Sequence, residues 1–235
     1  MKRIFFNFLL IIVISLMSFM PEKNKNGVTN TKAFKWITEQ FADAKILRYK
    51  VPGFDTLSLK QKELIYYLSQ ATLSGRDITY DQNYKYNLLI RKTLEAIYTD
   101  YQGDRSSNDF KNFTVYLKRI WFSNGIHHHY STDKFFPEFS RDYFASLLRN
   151  IDPQQLPLKP KQTIVDFITE ITPIIFDPDI APKRVNQNPE VDMIAGSASN
   201  FYEGVTQKEA EGFYSNLRKN AGKKGEDTLI AFGLN

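Results

Sequence analysis

Every histidine of the chain lies in one run, inside the segment Trp121-Phe122-Ser123-Asn124-Gly125-Ile126-His127-His128-His129-Tyr130. Imidazole is the commonest metal ligand, so the run invites a metal reading. Three consecutive residues do not all face one ion. On a strand, side chains alternate, so His127 and His129 share a face at a spacing that ligates zinc, with Asp133 or Glu138 as a third donor. The simpler reading makes the imidazoles hydrogen-bonding groups that organise a loop behind the Trp121 helix, and the residues favour it. With no other histidine, these residues hold no His-Glu-x-x-His metallopeptidase helix.

Other chemistries find less support. Asp177, Asp179 and Glu190 do not fit the spacing of a calcium loop and read as turn-forming carboxylates beside prolines. Gly196-Ser197-Ala198-Ser199-Asn200 is not a Gly-x-Ser-x-Gly elbow and reads as a tight turn. No Gly-x-x-x-x-Gly-Lys phosphate loop occurs. Gly75-Arg76-Asp77 and Asp81-Gln82-Asn83 either line a cleft or form turns between helices. Tyr66, Tyr67, Tyr84 and Tyr86 either stack on a ligand or belong to the core boundary.

The elements that position these residues must come from an ordinary globular composition. Of 235 residues, 42% are hydrophobic and 24% charged, and 19 Phe and 13 Tyr supply a sizeable core. The absence of cysteine excludes disulfides, Cys-ligated zinc and thiol catalysis. The net charge is +5, with Lys2 and Arg3 contributing two of those charges. Basic and acidic residues are otherwise interleaved, so the charge reads as a solvated surface and no nucleic-acid partner is expected.

The first 20 residues pair a charged start with an apolar run and read as a secretory signal. Cleavage after Met17 places Ser15 at the small position, and a retained N-terminal anchor is the rival reading. With no cysteine after the run, a lipoprotein anchor is excluded. Residues 21–31 read as a polar tether, and residues 32–235 as the body. The expected location is therefore outside the cytoplasm, in the periplasm, with membrane attachment only through an uncleaved leader.

The body reads as mainly α with a minor β component. Phe34, Ile37, Phe41 and Ala44 have helical spacing and predict a first helix over 31–47. Residues 44–51 are also a strand candidate. Ser58 and Gln61 form a capping box ahead of a helix that Gly75 closes. Residues 77–83 read as a polar turn. Leu88, Leu89, Leu94, Ile97 and Tyr98 mark a third helix, and Asn108 is the cap expected for a fourth, ended by Asn124-Gly125. Ser140 begins a short helix, and 163–171 reads as another that Pro173 breaks. Residues 176–200 are irregular. Thr206 and Glu209 cap a last helix, residues 220–226 form a polar turn, and 228–234 has strand character.

Several stretches resemble the N-terminal part of bacterial dipeptidyl peptidase III. They are Gln40-Phe41-Ala42-Asp43 with residues 46–54; Gln61-Lys62-Glu63-Leu64 with Tyr66-Tyr67-Leu68; Gly75-Arg76-Asp77-Ile78 with Asp81-Gln82-Asn83; and Val115-Tyr116-Leu117-Lys118-Arg119 running into Trp121, Phe122, Ser123, Asn124, Gly125, His127, His128, His129 and Tyr130. Lys183-Arg184-Val185-Asn186-Gln187 and Gly204-Val205-Thr206-Gln207 continue the likeness, which covers about residue 34 onward. The resemblance implies part of the non-zinc lobe of a two-lobed zinc exopeptidase that releases dipeptides from the N-termini of short peptides. In that family zinc sits on a His-Glu-x-x-Gly-His helix and a downstream glutamate, none of which this chain carries. No catalytic residue, zinc ligand or cofactor is therefore carried over. The chain is expected to be inactive alone, the complementary C-terminal half being its missing partner. The alternative is a stand-alone, non-catalytic peptide-binding or scaffold protein derived from the same lobe.

Overall fold

A computed structural model describes residues 34–221. The chain divides into two units at Trp36–Ile37, and the body described below begins at Ile37. The leader, the tether and the expected strand over 228–234 lie outside the described residues.

The described body is mainly helical with one small antiparallel sheet. Strands β1 (Ile37–Phe41) and β2 (Ala44–Leu47) form a hairpin closed at Phe41 and Ala44. This corrects the helix expected over 31–47. Tertiary partners decide the outcome: the turn residue Asp43 is taken by Arg119 at 2.8 Å, Glu39 pairs with Lys118, and Phe41 packs edge-on to Phe122. Ala42 turns the chain at φ 45°. The strand candidate beginning at Ala44 is realised as β2.

Helix α1 (Leu59–Ser74) starts at the Ser58–Gln61 capping box and ends at Gly75. Helix α2 (Arg76–Asn83) replaces the polar turn expected over 77–83. Its one buried side chain, Tyr80, explains the difference, because the Arg91 guanidinium lies 4.7 Å from the ring centre and anchors the turn as helix. Helix α3 (Asn87–Asp100) buries Ile90, Leu94 and Ile97. Helix α4 (Asn108–Ser123) buries Phe110, Phe113, Leu117 and Ile120 at alternating three- and four-residue steps. Its cap is Ser107, whose hydroxyl accepts from the Phe110 N–H, and not Asn108.

Helix α5 (Arg141–Arg149) starts at the expected Ser140 cap and packs Phe144, Leu147 and Leu148 against α6 (Ile164–Phe176). A capping box of Thr163 and Asp166 opens α6. Pro173 does not break α6, which continues to Phe176. Proline removes one N–H bond, but Ile174 and Ile175 beyond it are buried in the core, and that burial outweighs the lost bond. Helix α7 (Gln207–Ala221) follows the Thr206–Glu209 capping box. The core thus sits among α3, α4, α5 and α6, with Tyr80 and Tyr84 contributed from the end of α2.

The C-terminus of α4 is fixed by asparagines. Asn124 ends the helix in the left-handed conformation, and its carbonyl accepts from Asn83 at 3.1 Å. The buried Asn87 donates to Tyr80 O and accepts the Ile126 N–H, both at 3.1 Å. Gly125, at φ 143°, lies so close that an added Cβ would sit 2.1 Å from the Asn87 amide. Gly125→Ala combines an unfavourable φ with displacement of this buried amide, and is expected to cost about 2–4 kcal/mol. Urea unfolding of the variant checks this; a cost within error of zero would contradict the packing described.

Candidate functional site

Behind Gly125 the chain makes a reversal closed by His127 and Lys134 and by the His128 N–H to Asp133 O at 2.8 Å. The returning arm pairs onward with residues 182–184: Lys134 N donates to Pro182 O and Arg184 N to Thr132 O. Residues 198–199 line the far side, with Ala198 N on Lys183 O and Ser199 N on Arg184 O, and Asn200 N then reaches Gln82 O. Four distant pieces of sequence thus lie side by side, and the histidine run sits at one edge.

The three rings face three different partners. His127 is 2% exposed, and its Nε2–H donates to Ala181 O at 2.8 Å, since a carbonyl only accepts. This leaves Nδ1 unprotonated, buried and without a partner. Burial pushes the His127 pKa down to about 4, against the opposing effect of the Ala181 bond. His128 Nδ1 accepts the N–H groups of Tyr130 and Ser131 at 3.2 and 3.1 Å, so Nε2 carries the proton that faces Asp43 at 3.3 Å. The Asp43 carboxyl is held below its usual range, chiefly by its hydrogen bond from Arg119. His129 rests edge-on against Phe122, and partial burial, followed by the neighbouring His128, lowers its pKa.

His127 and His129 therefore do not converge on a shared face as their spacing suggested. Asp133 is engaged by Lys183 at 2.8 Å, which holds its carboxyl low, and Glu138 contributes its backbone carbonyl to Asn112. Among the described residues, no group of three His, Asp or Glu side chains is placed to hold a metal ion. Asp177 forms a turn by accepting the Asp179 N–H, and the Ser197 hydroxyl donates within its own loop to Met193 O.

Sequence reasoning gave no role to several residues that build this junction. Arg184 spans it, donating to Asn83 Oδ1 at 3.1 Å and His129 O at 3.4 Å. Lys134 is buried, and its ammonium donates to Asp177 O and Ile180 O at 2.6 and 2.8 Å. Burial lowers its pKa to about 8, while the Asp177 charge opposes the shift. Its only signal in the sequence is a lysine set beside Phe135-Phe136.

Beside the junction lies an open groove of about 760 Å³, lined among others by Tyr84, Lys85, Asp179, Asn200, Tyr202 and Glu203. Lys85 and Glu203 approach to 3.9 Å. Burial raises the Tyr84 phenol to about 12, so it stays a neutral hydroxyl at physiological pH. The lining of the groove includes hydroxyl, amide, cation and carboxylate groups. Compared with known proteins, the chain matches no protein-family model and no curated protein sequence.

His127 also sets an acid limit. Its folded pKa, near 4, lies below the ordinary 6.5, so below pH 6.5 the unfolded chain binds the extra proton. The stability it contributes is complete above pH 6.5 and is lost as pH falls through about 4. In His127→Gln, the loss of stability between neutral pH and pH 4 is expected to shrink by roughly 2–3 kcal/mol. Urea midpoints at the two pH values measure the difference; an unchanged acid-side loss would refute the assignment.

Proposed function

We propose that this chain is the N-terminal part of a dipeptidyl peptidase III-like zinc exopeptidase, belonging to the lobe without zinc and inactive by itself. One observation carries the reading. The stretches that resemble the family are far apart in sequence, yet Asn83, Asn124, His129 and Arg184 meet at a single junction through side-chain and backbone hydrogen bonds. Stretches that meet in space form one structural unit, which is what a shared lobe requires.

Among the described residues, the histidine run does not fit zinc. His127 Nε2 is occupied by Ala181 O, and His128 Nδ1 by two backbone N–H groups. No catalytic step is therefore assigned to this chain. In the proposed complete enzyme, the metal and the base that activates water come from the complementary half, and this lobe provides one wall of the peptide cleft. The apolar leader supports export to the periplasm.

The assay is hydrolysis of a dipeptidyl arylamide by the purified chain with added zinc. No turnover and no stoichiometric metal are expected. Hydrolysis with one zinc bound per chain would defeat the reading.

The groove favours a second reading, a stand-alone peptide-binding protein. Titration calorimetry with short unmodified peptides tests it. Micromolar affinity that weakens several-fold in Glu203→Gln is expected on this reading, whereas no heat of binding at millimolar peptide removes it.

A further inference from the structure

Helix α1 carries Leu64, Ile65, Tyr66, Tyr67, Leu68 and Leu73, yet it contains no buried residue. Gln61, Leu64, Leu68, Ala71 and Gly75 follow one another at steps of three, four, three and four, the spacing of a coiled-coil seam. Leu64 and Leu68 are each 59% exposed. From Leu64 to Gly75 no residue is charged, and the seam is flanked by Ile65, Tyr67, Thr72 and Ser74.

The order of sizes along the seam points to its occupant. The large side chains come first and the small ones last. A second α1 laid antiparallel about a two-fold axis sets Leu64 over Gly75 of the other copy, and Leu68 over Ala71. Each leucine then fills the space left by a small residue. Parallel pairing would put leucine on leucine at one end and leave a gap at the other. The antiparallel arrangement also opposes the two helix dipoles favourably. Beyond the uncharged stretch, both ends carry both signs, with Lys60, Lys62 and Glu63 before it and Arg76 and Asp77 after it, so neither end confronts a cluster of like charge.

We infer that α1 is a self-association element that pairs antiparallel with α1 of a second copy of this chain. The interface is isologous, and its centre falls between Ser69 and Gln70. This goes beyond the peptidase reading and does not depend on it.

Sedimentation equilibrium on the full chain tests the inference. A dimer in the micromolar range is expected, weakened roughly tenfold or more in Leu68→Arg and in Ala71→Arg. Because α1 buries nothing, both variants are expected to keep the circular dichroism and urea midpoint of the parent, which separates lost pairing from lost fold. The register has its own readout. The chain has no cysteine, so the double variant L68C/A71C is expected to give a covalent dimer on mild oxidation. A monomer at high micromolar concentration, a dimer that survives both arginine variants, or no cross-link in L68C/A71C would each overturn the inference.

Discussion

The loop junction depends on one imidazole that burial keeps neutral. His127 is buried, donates from Nε2 to Ala181 O, and leaves Nδ1 without a partner. That bond ties the turn after α4 to the segment that follows α6. Around it the backbone groups of four irregular segments satisfy one another. Lys134 adds a second tie, because its ammonium answers carbonyl groups beyond the α6 C-terminus, where a cation is favoured.

This arrangement explains how residues 176–200 hold their course with little regular secondary structure. Hydrogen bonds from Lys134, Arg184, Ala198 and Ser199 replace a sheet ladder. On the other side, Asn83 and Asn87 bind the carbonyl and amide groups left open where α4 ends. The helical core packs beneath Ile126 and Phe135 of the junction, and the groove shares Ala181, Pro182, Ala198 and Ser199 with it. The close polar contacts of the junction are structural, while Asp179, Asn200 and Glu203 line the groove.

The histidine run shows how identical residues take different roles from their surroundings. His127 is set neutral by burial, His128 orders a turn through Nδ1 and faces Asp43 through Nε2, and His129 packs on Phe122. None of this follows from the tripeptide itself. Asp43 and Ala181 lie far away in sequence, whereas Phe122, Tyr130 and Ser131 are near neighbours whose roles the turn after α4 decides.

Local signals in the sequence determined most of the helices. The capping boxes at Ser58 and Thr206, the cap at Ser140, the stop at Asn124-Gly125 and the apolar stripe of α4 act within a few residues and so are legible without a fold. Tertiary structure decided where distant contacts outweighed local preference. Residues 37–47 became a hairpin because Arg119, Lys118 and Phe122 hold its turn and strands; 76–83 became a helix because Tyr80 is buried beneath Arg91; and α6 ran through Pro173 because isoleucines beyond it are buried. The site divides the same way. The sequence marked the histidine segment, but not Asn87, Lys134 or the convergence on Arg184, since a buried polar group is recognised only by the partners that folding brings to it.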